Sequence, residues 1–180
     1  MDRNQLFELL KEYLKDTAMI MHSLQSEAVA RAVAQAIGED VNLWGGTALL
    51  HDIDYEMTKA TPDRHGHESI RILEKVLPSE SINAIFTHNY EHNGAPAPAS
   101  VLDHGIRCCE TVTGLIHAAS LLRPDGYEGM EPKSIRKKMK DKAFARNVSR
   151  ECILECSHLG LELSEFLKIA INAMSDLEKS

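Results

Sequence analysis

Apolar residues recur along this chain at helical rather than strand spacing. Leu6, Leu9, Leu10, Tyr13 and Leu14 share one face of an N-terminal segment, and Ala28, Val29, Ala32, Val33 and Ala36 share one face of the next. Ile70, Ile72, Leu73 and Leu77 form a third stripe, and Leu163, Phe166, Leu167, Ala170, Ile171 and Met174 a last one near the C-terminus. No stretch alternates with period two, so no strand is predicted. Gly38 with Glu39-Asp40 closes one helix, Pro78-Ser79 separates two more, and Asn93 to Pro98 is a loop. The longest helix is predicted from about Ser100 to Leu122, stopped by Pro124-Asp125-Gly126, with shorter ones around KSIRKKMKDK and from Val148 to His158. These elements predict an all-α bundle.

Length and composition narrow the picture. At 180 residues, without repeat, low-complexity segment or linker, the chain reads as one domain. A domain of that size buries roughly 70% of the surface its unfolded chain exposes. A core of about residues 18 to 122 and a C-terminal helical extension of about 130 to 178 are expected. The net charge of -7 argues against wholesale nucleic-acid binding. No apolar run approaches the roughly 18 residues that cross a bilayer, and the charged N-terminal helix lacks a signal-peptide core, so a cytoplasmic protein is expected. The four cysteines contain no Cys-x-x-Cys step; a four-thiolate zinc site is conceivable, but buried free thiols are the simpler reading.

One local asymmetry stands against the acidic whole. Eight positive side chains fall between Lys133 and Arg150, against Asp141 alone. Such a segment is either a solvated face or a means of drawing phosphate toward a cleft. Lys138 and Lys142, one turn apart, are the candidates for phosphate contact. Phe144 is the only aromatic there, too few for a nucleic-acid stacking tract.

The densest chemistry lies in the histidines. His51-Asp52 follows the apolar run Ala48-Leu49-Leu50, and His22, His65, His67 and His88 surround it at long range. A histidine alone among apolar residues is commonly a hydrogen-bonded core or surface group. The set suggests more, because imidazole nitrogen and carboxylate oxygen suit Mn, Fe, Zn, Co or Ni with positions left open for water and phosphate. Residues so far apart in sequence meet only if several helices converge.

The order His, His-Asp, spaced His, then a carboxylate resembles the HD-domain superfamily of metal-dependent phosphohydrolases. LLHDIDYE, TPDRHG, IFTHN and TGLIHAASLLRP resemble successive stations of small, single-domain bacterial proteins of the HDIG type. The resemblance implies an HD-domain helical bundle holding one or two divalent transition metals. It implies His22, His51 and Asp52 as ligands, with Asp52 also orienting the attacking water, and His65 and His88 at the stations of a second cation. His65 fits better than His67, because Ser69 matches the small residue that follows that ligand elsewhere. Glu110 stands where the family has its terminal Asp; Asp103, about 10 Å away along the same helix, is the competitor.

The implied activity is hydrolysis of a small phosphorylated metabolite, a nucleotide by preference, through a metal-activated water. Two alternatives belong to the same resemblance: a di-iron oxygenase, and a degenerate nucleotide-binding signalling module suggested by Glu110. Asp54-Tyr55-Glu56 lacks the Glu-Asp pair of guanosine tetraphosphate hydrolases, and Gly126-Tyr127-Glu128 is not the Gly-Tyr-Pro of cyclic-di-GMP hydrolases.

Overall fold

The computed structural model describes residues 1–179, and among them no strand occurs. Eleven α-helices follow one another. The first three are α1 (Arg3–Tyr13), α2 (Thr17–Ile37) and α3 (Val41–Leu50). Four short ones follow, α4 (Tyr55–Thr58), α5 (His67–Leu73), α6 (Ser79–Thr87) and α7 (Tyr90–Asn93). Then come the long α8 (Val101–Ser120), α9 (Pro132–Lys140), α10 (Arg150–Leu154) and α11 (Leu163–Glu178).

Helix α3 is the axis of the fold. Asp40 caps it, accepting from the backbone N–H groups of Asn42 and Leu43. From Trp44 to Leu50 every residue is buried, so over that stretch the helix turns no face to water. It feeds both core clusters. Trp44 and Ala48 join the cluster built with α2, α8, α9 and α11, while Leu49, Leu50 and Ile53 join Leu10, Leu14, Leu73 and Ile85 from α1, α5 and α6. Helix α8 crosses α3 so closely that a Cβ on Gly105 would stand 2.2 Å from the Trp44 ring. The C-terminal segment is not peripheral: Ile135, Phe166, Leu167 and Ala170 lie in the same cluster as Trp44.

Several predicted details shift. On α2 the buried stripe runs through Val29, Ala30, Val33 and Ala34, whereas Ala28 and Ala32 are half-buried and Ala36 is exposed. Alanine contributes little burial free energy, so an alanine-rich helix offers two stripes, and packing against α3, α8 and α11 selects one. The segment from Val148 to His158 is not one helix: α10 ends at Leu154 and a 3-10 turn covers Glu155–Leu159. Tyr90–Asn93 adds a helical turn that runs up to the first residue of the expected Asn93 to Pro98 loop.

Candidate metal centre

Two of the histidines owe their orientation to helix ends. His51 follows the last residue of α3 and His88 the last residue of α6, where backbone carbonyls lack helical partners. His51 Nδ1 donates to the Ala48 carbonyl at 2.7 Å, and His88 Nδ1 to the Ile85 carbonyl at 2.5 Å. The other two find side chains. His65 Nδ1 donates to Asp54 Oδ1 at 2.7 Å. Thr113 spends its hydroxyl proton on the Glu110 carbonyl at 2.6 Å, so its oxygen accepts from His22 Nδ1 at 3.1 Å. In all four rings the Nδ1 proton is therefore committed, leaving Nε2 as the free donor atom.

The four free nitrogens converge on one carboxylate. His22 Nε2 and His51 Nε2 are 3.2 Å apart and lie 3.6 and 3.3 Å from Asp52 Oδ2. His65 Nε2 and His88 Nε2 are 3.0 Å apart and lie 3.1 and 3.5 Å from Asp52 Oδ1. Asp52 thus joins two triads, each of a geometry that could hold a metal ion. Ligand atoms about 2.1 Å from one ion are separated by about 3.0 to 3.4 Å in octahedral or tetrahedral arrangement. Four of the six observed spacings fall in that range, and those of His22 and His88 to Asp52, at 3.6 and 3.5 Å, lie just above it. Two neutral Nε2 lone pairs facing each other at such distances repel unless a proton or cation lies between them, so the chemistry of the donor set fits a divalent metal.

Charge on these groups is strongly displaced. Burial pushes His22 down to about 4 and lowers His88 as well. Burial acts the same way on His65, but the Asp52 and Asp54 carboxylates outweigh it and push His65 up to about 10. For Asp52, the neighbouring histidines overcome burial and hold the carboxyl well below the usual range. Burial pushes Glu110 up to about 7. Without a cation, a proton held by His65 toward Asp52 takes the place of positive charge in the second triad.

Glu110 Oε2 lies 3.9 Å from His22 Nε2, at the edge of the first triad. Asp103 is elsewhere. It accepts from the backbone of Ala99 and Ser100 and from Asn83, completing the capping box that starts α8. His67 Nε2 donates to the Asn93 carbonyl at 2.8 Å, while His104 bonds Glu155 and His117 bonds Tyr127. Among the described residues no cysteine joins a metal-ligand cluster, and all four thiols are free.

Above the triads opens a cavity of about 630 Å³ whose walls include His22, Asp52, His65, His88 and Glu110. Neither Lys138 nor Lys142 lines it. Lys138 Nζ rests over the Phe144 ring, 4.2 Å from its centroid, and Lys142 lines an adjoining cavity. The pair therefore lies outside the lining of the cavity over the triads: Lys138 turns onto Phe144, and the segment after α9 carries Lys142 past the rim.

The HD-domain sequence model matches residues 19–143, well over half of the chain. The protein belongs to the HD-domain family. HD domains bind divalent metals and are in general metal-dependent hydrolases of small phosphorylated substrates. Searches of curated proteins and of solved structures returned no match. No helix among the described residues is long and apolar enough to cross a membrane.

Some supporting residues carry no sequence signal. Asp54, fully buried, holds His65 with one oxygen and accepts from the N–H groups of Gly66 and Ser69 with the other, at 2.8 and 3.0 Å. Gly66 adopts φ +90, and a Cβ there would stand 2.9 Å from Asn93 Nδ2, so the His-Gly step needs its glycine. Buried Arg107 donates to the His88 carbonyl at 2.5 Å while pairing with Glu91 and Glu155. Only the Asp-Ile-Asp spacing of Asp52 and Asp54 hints at this shell; nothing local marks Arg107.

Proposed function

We propose that this HD domain is a two-metal phosphohydrolase acting on a small phosphorylated metabolite, a nucleotide by preference, and that it is of the HDIG type. The observation that carries this reading is the sharing of Asp52 between two histidine pairs. His22, His51 and Asp52 would hold one ion with Glu110 at its edge, and Asp52, His65 and His88 the other. Bound there, a divalent pair lowers the pKa of water and neutralises charge on phosphoryl oxygens. The chain's own part is positional. The four committed Nδ1 protons fix the rings, Asp52 presents one oxygen to each half, and Asp54 and Arg107 hold His65 and His88 in place. The carboxylate of Glu110 stands 3.9 Å from His22 Nε2, at the edge of the first triad, and two complete histidine pairs on Asp52 favour a competent site over a degenerate one.

Manganese-loaded wild type is expected to release phosphate from nucleoside monophosphates, and a folded Asp52→Ala protein to lose that release. Equal activity in the two proteins overturns the reading. The metal cavity has no lysine or arginine in its described lining, which favours one second reading, a di-iron oxygenase with a weakly charged substrate. A di-iron absorption band in the fully iron-loaded protein, together with no phosphate release in any metal form, would select it.

A further inference from the structure

We propose that a second anion subsite adjoins the metal centre, built from Lys140, Lys142 and Arg146, and that the substrate therefore carries two separated phosphate groups, as in a nucleoside 3′,5′-bisphosphate. The substrate assignment rests on the phosphohydrolase reading above. The subsite itself rests on three observations.

The first is adjacency. A cavity of about 510 Å³ is lined by Lys140, Lys142, Arg146 and Arg150, and it shares Asn147, Val148 and Ser149 with the cavity over the triads. The second is charge. Among the described residues Lys140, Lys142 and Arg146 form no ion pair, and Glu151 is the only carboxylate in the wall. The metal cavity has the opposite character, with Asp52, Glu91 and Glu110 and no lysine or arginine in its described lining. One phosphoryl group can be neutralised by cations at the triads. A second on the same molecule meets no cation in that lining, whereas three unpaired cations gather across the Asn147–Ser149 wall, against the single Lys59 of another hollow that shares His65.

The third observation is that the loop carrying these cations is built. The Arg150 guanidinium donates to the carbonyls of Ala145 and Val148 at 2.8 and 2.7 Å, and to those of Asp141 and Phe144 at 3.2 and 2.5 Å. Arg150 is spent on backbone and serves as the clamp. Within the clamped loop Ala145 holds φ +43, a left-handed conformation that a residue with a Cβ rarely adopts. Such a conformation persists where the surroundings over-determine it. The clamp fixes Lys142 and Arg146 on one side of the wall and keeps Asn147 in both cavities. Because the wall separates two volumes, the geometry favours phosphates on different atoms of a sugar over the adjacent phosphates of a diphosphate.

The test compares phosphate release from adenosine 5′-monophosphate and adenosine 3′,5′-bisphosphate by the manganese-loaded full chain. The bisphosphate is expected to have a kcat/KM at least about tenfold higher, the scale of one added charge-assisted contact. Lys142→Ser/Arg146→Ser is expected to erase that preference, chiefly through KM. Lys133→Ser/Lys137→Ser removes the same charge from α9 at two residues outside the subsite, in a neighbouring hollow that has Lys140 in common with it, and is expected to keep the preference. No preference in wild type, or equal loss in both double variants, overturns the subsite. If neither compound is hydrolysed, the phosphohydrolase reading fails and calorimetry decides the subsite alone. Binding of adenosine 3′,5′-bisphosphate that is weakened by the first double variant and not the second sustains it; no binding, or equal weakening, removes it.

Discussion

A single buried carboxylate two residues beyond Asp52 decides how half of the metal centre is aimed. Asp54 has both oxygens occupied, one by His65 Nδ1 and the other by two backbone N–H groups. Asparagine is nearly isosteric, yet it can present a carbonyl to only one side and must turn its NH₂ toward donors on the other. Asp54→Asn is therefore expected to lower metal affinity at the second triad by about 10- to 100-fold, the usual cost of losing the group that orients a ligating histidine. Elemental analysis and calorimetric titration with manganese would measure it. Two equivalents bound as tightly as in wild type would show that packing alone orients His65.

Helix geometry explains why α3 and α6 end where the histidines begin. Each helix leaves carbonyls without partners, and a histidine just past the end folds back to use one three residues earlier. Element contacts also set how near the ligand-bearing helices come to one another. Helix α8, which brings Glu110 and Thr113, approaches α3 only because Gly105 leaves room for Trp44. Gly105→Ala would force the two helices apart and is expected to destabilise the fold by about 1 to 3 kcal/mol. Urea unfolding followed by circular dichroism would check it; an unchanged midpoint would mean that the Trp44 ring can swing aside.

At the scale of the whole molecule, the donors come from α2, the ends of α3 and α6, the loop before α5, and α8. A cation at the triads ties together segments belonging to both core clusters, so it binds the folded chain far better than the unfolded one. At a metal concentration of 100 times Kd, stabilisation of about 2.7 kcal/mol is expected. The effect carries a pH sign. His65, pushed up to about 10, and Glu110, pushed up to about 7, hold protons that a cation must displace. The manganese-induced rise in Tm should therefore be larger at pH 8 than at pH 6, and proton release should appear as buffer-dependent binding heat. A rise that is equal at both values would place the metal away from these groups.

The sequence by itself determined the all-α class, the family and the candidate residues His22, His51, Asp52, His65, His88 and Glu110. These are legible because helical period and motif order are written locally. Tertiary structure alone decided three further things. It selected the buried stripe of α2, because alanines discriminate weakly between faces. It assigned Asp103 to the cap of α8 and left Glu110 at the edge of the first triad, because a helix fixes spacing but not which turn meets a distant His22. It turned Lys138 onto Phe144 and set Lys142 and Arg146 in a second cavity, because a basic segment specifies charge and not direction. The roles of Asp54, hinted at only by its spacing from Asp52, and of Arg107, unmarked locally, were hidden for the same reason: a positioning residue is defined by what it touches across the fold.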